Sequence, residues 1–378
     1  MKNLSSYLSG ILLLSLLIVS ASTEAGSKKS RQNNNRWALT NFRRPLATPV
    51  ISPDSTQTFD CPMHGKRVRW EDGDTFNPAA VTYGDKVVML YRAEDRSGMG
   101  IGKRTSRIGY AVSADGIHFE RESAPVLFPD ATDSQAANEV PGGCEDPRVA
   151  VTEDGRYVMM YTQWNRKVAR LAVATSTDLH HWTKHGPAFA KAYNGRFKDM
   201  FSKSASIFTK LKGGRLVITK MKGHYWMYWG EQAVNLAWSD DLVNWTPLLD
   251  TKGNLLKVMQ PRDGYFDSML TECGPPAIVT KKGILLLYNG KNRAGARGDK
   301  DYAANAYCAG QALFSLSDPT KLIGRLDKPF FSPTMSFEKS GQYPSGTVFI
   351  EGLVHHQGRW LLYYGCADSR VGVAVREE

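Results

Sequence analysis

The chain has 378 residues, 42% of them hydrophobic and 22% charged, enough apolar material for one large core or two modest ones, which excludes an intrinsically disordered protein. The net charge of +11 invites nucleic acid as a partner, but the lysines and arginines are scattered over the whole chain instead of clustering on one helix or ribbon, so no nucleic-acid binding is expected. The five cysteines (Cys61, Cys144, Cys273, Cys308 and Cys366) are widely separated, with no C-x-x-C pair and no zinc-like histidine spacing. They read as small buried hydrophobes with at least one free thiol, and neither a metal nor an organic cofactor is expected.

In chain order, residues 1–25 carry Lys2, an apolar run from Ile11 to Val19, and small residues at Ser20–Thr23 and Ala25. This is the layout of a cleaved signal peptide. The run is far shorter than the roughly 20 residues that span a bilayer, and Cys61 lies too far beyond it to take a lipid. Export to the periplasm or medium without a membrane anchor is therefore expected. Residues 26–40, opening with GSKKSRQNNNR, are polar, basic and aperiodic, and read as a disordered leader into a single domain over 41–378.

Within that domain one pattern returns five times: NPAAVTYGDKVVMLYRA, DPRVAVTEDGRYVMMYTQ, SASIFTKLKGGRLVITKM, GPPAIVTKKGILLLYNG and GTVFIEGLVHHQGRWLLYYG. Each is a strand, a glycine turn and a second strand. The turn glycines Gly84, Gly155, Gly214, Gly283 and Gly358 are spaced by 71, 59, 69 and 75 residues. Between copies runs a second unit, AVSADGIHF, AVATSTDLHHW and LAWSDDLVNW, whose serines Ser113, Ser176 and Ser239 are 63 residues apart each time. About four short strands per repeat cannot bury both sheet faces alone, so the predicted fold is all-β, a five-bladed β-propeller. A β-sandwich is the competing arrangement, but it does not explain a long repeat of nearly constant content.

In a propeller the inner strands start around a central funnel. Asn77 opens the first copy, Asp146 the second, Lys203 and Glu272 precede the third and fourth, and Asp368 follows the fifth. Any one of these could be a turn residue capping a backbone N–H. Five at matched places point to a polar site on the axis. The run Tyr225, Trp226, Tyr228, Trp229 offers ring faces either to a sugar or to packing between blades. The glycine-rich basic loop Lys291–Lys300 reads either as a rim near a ligand or as plain surface.

GGCEDPRV (142–149), FNPAAV with LYRAED (76–81, 90–95), GPPAIVTKKGILLLYNG and YYGCADSRVGVA (363–374) together resemble glycoside hydrolase family 130, five-bladed propellers that include β-mannoside phosphorylases and β-mannosidases. The resemblance runs from about Asn77 to Val375. It implies an oligosaccharide partner, with Asp146 as general acid passing its proton through a mannose hydroxyl. It further implies that Asn77, Arg92 and Asp368 grip the terminal mannose, with Arg148 and Lys203 near the site as further substrate-binding residues. Glu145 and burial should raise the Asp146 carboxyl and Arg148 should lower it, a balance that the sequence leaves open.

Where family phosphorylases place basic phosphate-binding segments, this chain has Lys220-Met221-Lys222 and Tyr288-Asn289-Gly290, and in the same region Glu231 and Glu272. Carboxylates repel a phosphate dianion. They suit the water activation of an inverting hydrolase, which sets an acid and a base roughly 6.5 to 9.5 Å apart. The resemblance is thus nearest to the β-1,2-mannosidases, with Glu231 and Glu272 as the catalytic pair. Two alternatives stand beside it: a β-1,4-mannoside phosphorylase of the same fold, and a non-catalytic glycan-binding propeller.

Overall fold

The computed structural model describes residues 35–378; the signal-peptide reading of residues 1–25 and the leader up to 34 fall outside the described residues. Asp74–Tyr83, Lys86–Glu94, Ser106–Ser113 and Glu120–Arg121 pair antiparallel in sequence as blade one. Gly143–Val151, Tyr157–Trp164, Ala169–Ser176 and Thr183–Pro187 repeat this as blade two. Blade three starts at Ala205–Lys212, blade four at Leu270–Cys273 and Ala277–Thr280, and blade five at Val348–His356. Among the described residues only two helical turns interrupt the series, Ala136–Glu139 and Ser336–Glu338.

The recurrent serines explain themselves as turn chemistry. Ser113, Ser176 and Ser239 each hydrogen-bond the aspartate two residues on, at 2.9, 3.0 and 3.1 Å, and each accepts a backbone N–H three residues on. The inner strand of blade two is buried along its whole length, because neighbouring blades cover both of its faces. Among the described residues the apolar side chains gather in five clusters, one at each blade junction. The junction of blades five and one, with Val354, Leu361 and Val371 against Val87 and Met89, completes the ring.

The N-terminal segment fastens that ring. Arg43 and Val375 exchange backbone hydrogen bonds of 2.8 and 2.7 Å, and Ile51 bridges Val371, so residues 43–51 run beside the outer strand of blade five. Packing begins earlier than residue 41: Trp37 and Leu39 lie against the cluster between blades four and five, and the Leu39 amide donates to Gln311 Oε1 at 2.8 Å. All five cysteines are buried and unpaired.

Candidate active site

The inner strands are broken at one level by a repeated device. Register shifts fall between Phe76 and Pro78, between Glu145 and Arg148, and between Ile350 and Gly352. Asn77 and Asp146 adopt φ of +48° there, as do Ser204 (+55°) and Asp368 (+51°) at the equivalent ends of their blades. An L-residue in the left-handed region costs energy, least for Asn and Asp, and a bulge swings its side chain out of the ladder. Pro78 and Pro147 follow directly and need no ladder partner for a missing N–H. The result is a ring of side chains aimed at the axis.

These residues line a cavity of about 190 Å³. Asn77, Asp146, Lys203, Glu231, Glu272 and Asp368 all face it, as does Arg92. Arg92 is the hub: Nη1 donates to Asp146 Oδ1 at 2.9 Å, and Nη2 donates to Glu94 Oε1 at 2.6 Å and to Glu145 Oε1 at 2.8 Å. Lys203 Nζ sits 3.1 Å from Asp146 Oδ2 and 3.6 Å from Glu145 Oε2. Asn77 Nδ2 donates to Asp146 Oδ1 at 2.9 Å, while its buried Oδ1 has no partner. That acceptor is free for a ligand hydroxyl. Across the cavity Ser204 Oγ donates to Glu272 Oε1 at 2.5 Å.

The electrostatics separate the carboxyls. Burial pushes Asp146 up, but Lys203, Arg92, Arg148 and the Asn77 amide outweigh it and hold it well below the usual carboxylate range. Burial and the nearby Glu231 push Glu272 up to about 7 against Lys203, Arg148 and Ser204. Asp368 is raised to about 6, mainly by burial. Burial lowers Lys203, yet Asp146, Glu145, Glu231 and Glu272 more than reverse this and keep it charged. Among the carboxyls of the cavity wall, then, Asp146 is ionised, while Glu272 and Asp368 keep their protons to higher pH than an ordinary carboxyl.

Some sequence expectations need correction. Arg148 does not reach the cavity: it is 2% exposed, and its guanidinium is used up beneath the floor on backbone carbonyls and Glu351. The aromatic run 225–229 is packing: Tyr228 lies against Phe208 and Phe314, and Trp229 against Phe189. The rings in the cavity wall are Phe76, Tyr307, Tyr343 and Phe349, with Tyr307 edge-on to Tyr343 and Phe349 at 5.5 and 5.6 Å. The loop 291–300 folds on itself around the Asn292 amide, and only Lys291 at its start approaches the site, its Nζ over the wall rings Tyr307 and Tyr343 at 5.1 and 5.2 Å. Lys220 and Lys222 lie elsewhere, against Tyr225 and the Ser317 carbonyl.

Sequence reasoning also missed residues. Glu94 and Gln342 line the cavity, and Glu351 occupies the bulge of blade five beneath it. Glu351 was findable: it precedes Gly358 by the same interval that separates Asn77 from Gly84. Glu139, at the end of the helical turn before blade two, is structural, taking hydrogen bonds from Tyr161, Gln163 and Lys184. Among the described residues no group of three or more His, Cys, Asp or Glu is arranged to hold a metal ion.

A propeller funnel with a cavity of this size, paired acid residues of opposed proton affinity and aromatic walls defines a carbohydrate-processing enzyme. The chain belongs to glycoside hydrolase family 130, whose sequence model, described as β-1,4-mannooligosaccharide phosphorylase, matches residues 42–378. The 1,2-β-oligomannan phosphorylase of Thermoanaerobacter sp. (strain X514) is 34% identical over 312 residues, 82% of this chain and 91% of that one. A β-1,2-mannobiose phosphorylase of the same organism is 31% identical over 326 residues, covering 83% and 93%. A solved structure from work on family members that are glycoside hydrolases targeting β-1,2 mannosidic linkages in Candida mannan is 62% identical, with a TM-score of 0.89 over 90% of this chain and 95% of that one.

Proposed function

We propose that the protein is an exo-acting, inverting β-mannosidase that releases mannose from the non-reducing ends of β-1,2-linked mannosides. The observation that carries this reading is the charge of the cavity wall. Glu94, Asp146, Glu231, Glu272 and Asp368 face only two cations, Arg92 and Lys203, and both are already engaged with carboxylates. A phosphate dianion needs uncommitted donors and meets carboxylates instead. Water between Glu231 and Glu272 meets a carboxyl pair suited to orienting it and, once the proton on Glu272 has passed to Asp146, to deprotonating it.

In this mechanism Asn77, Arg92 and Asp368 hold the mannose hydroxyls. Asp146 delivers a proton towards the leaving oxygen, directly or through a mannose hydroxyl, while a glutamate of the pair takes one from water. The net requirement is one proton shared between Asp146 and Glu272, which in the free protein rests on Glu272. The likeness to a structure from work on β-1,2-acting hydrolases supports the linkage and the hydrolytic outcome. The signal-peptide-like N-terminus supports action outside the cytoplasm, where a sugar phosphate product would be lost to the cell.

A phosphorylase reading draws on Lys203 in the cavity and on the phosphorylase relatives. The two separate in one assay, β-1,2-mannobiose turnover with phosphate withheld and then added. Hydrolysis predicts the same mannose release in both; a rate that appears only with phosphate contradicts it.

A further inference from the structure

Arg148 and Glu351 have no place in the chemistry so far, yet they are among the most deeply buried charged residues in the protein, at 2% and 0% exposure. The Arg148 guanidinium touches three blades at once. In blade two, Nη1 donates to the backbone carbonyl of Asp146 itself at 3.0 Å. In blade four, Nη2 donates to the carbonyl of Cys273, the residue after Glu272, at 2.9 Å, and Nε donates to that of Gly274 at 3.4 Å. From blade five, Glu351 Oε1 stands 3.0 Å from Nη1. The same Gly274 carbonyl is held by Ser206 Oγ of blade three at 3.0 Å.

We propose that Arg148, seated by Glu351, is a positioning clamp that fixes the separation between Asp146 and Glu272. The proposal rests on the reading of those two residues as the acid and a member of the water-activating pair. The guanidinium is a planar fork with donors in fixed directions, so the carbonyls it bridges cannot drift independently. One is the carbonyl of Asp146 itself, and the other two follow directly after Glu272. An inverting enzyme depends on the span between its two carboxyls, because a water must fit between base and sugar.

A purely structural origin explains Glu351 poorly. Neither of its oxygens has a hydrogen-bond partner, so the ion pair with Arg148 is all that compensates for its burial. A buried ion pair of this kind is commonly no more stabilising than packed apolar residues of similar volume. Burial above all, then the charges of Asp146 and Glu272, push its carboxyl upward against the opposing pull of Arg148 and Lys203. That electrostatic reach to both reacting carboxyls agrees with its place beneath them.

The test uses E351A, E351Q and R148K in the full-length protein, assayed on β-1,2-mannobiose and on 2,4-dinitrophenyl β-mannoside, whose leaving group departs without a proton. A misplaced acid costs the first substrate far more than the second. For E351A and R148K, kcat on mannobiose is expected to fall on the order of 100-fold with KM little changed, and the loss on the aryl mannoside to be roughly tenfold smaller. E351Q, whose amide oxygen still faces Arg148, is expected to recover most of what E351A loses. Folded E351A or R148K with undiminished kcat, or equal losses on both substrates, would overturn the clamp. Should E351A not fold, R148K decides alone by the same two readouts. Wild-type turnover that demands phosphate would remove the hydrolase reading instead, and the same comparison run with phosphate would still judge the clamp.

Discussion

Asp146 and Glu272 are two carboxyls about equally buried, yet they hold protons very differently. Asp146 is ringed by Lys203, Arg92, Arg148 and Asn77, whereas Glu272 faces Glu231 and has one short hydrogen bond, from Ser204. Because kcat/KM reports the free enzyme, it should hold while the shared proton remains on Glu272 and fall as pH rises through about 7. That midpoint belongs to the coupled group and not to one residue. Ser204 stabilises the ionised form, so in S204A the fall should move to higher pH, by about one pH unit for the loss of a charged hydrogen bond. A pH–rate profile of both proteins checks this; a rate that climbs through the same range would refute the proton assignment. Residue types and repeat position made Asn77, Asp146, Lys203, Glu272 and Asp368 legible in the sequence. The resemblance implied Arg148 as a substrate contact, but the bulge between Glu145 and Arg148 turns its side chain beneath the cavity floor. Glu351 was hidden because Asp368 had been given blade five's place in the ring.

At the scale of the strand, the site depends on how closely blades approach. A Cβ at Gly365, in the middle strand of blade five, would lie 2.3 Å from Asn77 Oδ1 and 3.0 Å from its backbone nitrogen. The residue that lends Asn77 its orientation is therefore a glycine in a neighbouring blade. G365A should displace Asn77, raise KM several-fold and cost on the order of 1–3 kcal/mol of stability by overpacking. Steady-state kinetics with thermal unfolding measures both, and an unchanged KM would show that Asn77 does not hold the sugar. Strand pairs and turns were readable because alternation and Asp-Gly or Gly-Gly turns are local signals. The 225–229 aromatics were ambiguous for the opposite reason: a ring looks the same in sequence whether it meets a sugar or a blade.

Across the whole molecule, the count of blades followed from the recurrence of one hairpin, while the closure of the ring did not. The pairing of residues 43–51 with the last strand joins segments more than 300 residues apart, and no periodicity announces it. That closure matters for the proposed chemistry, which takes its acid from blade two, its glutamates from the blade-three turn and blade four, and its mannose-holding residues from blades one and five. Only a closed ring holds such groups at a fixed span. In the proposed reaction this ring presents solvent, and not phosphate, to the anomeric carbon. Proton NMR of β-1,2-mannobiose turnover in phosphate buffer tests it most directly. Hydrolysis with inversion gives α-mannose as the first-formed product, relaxing to the anomeric equilibrium, with no sugar phosphate. Mannose 1-phosphate accumulating in its place would contradict it.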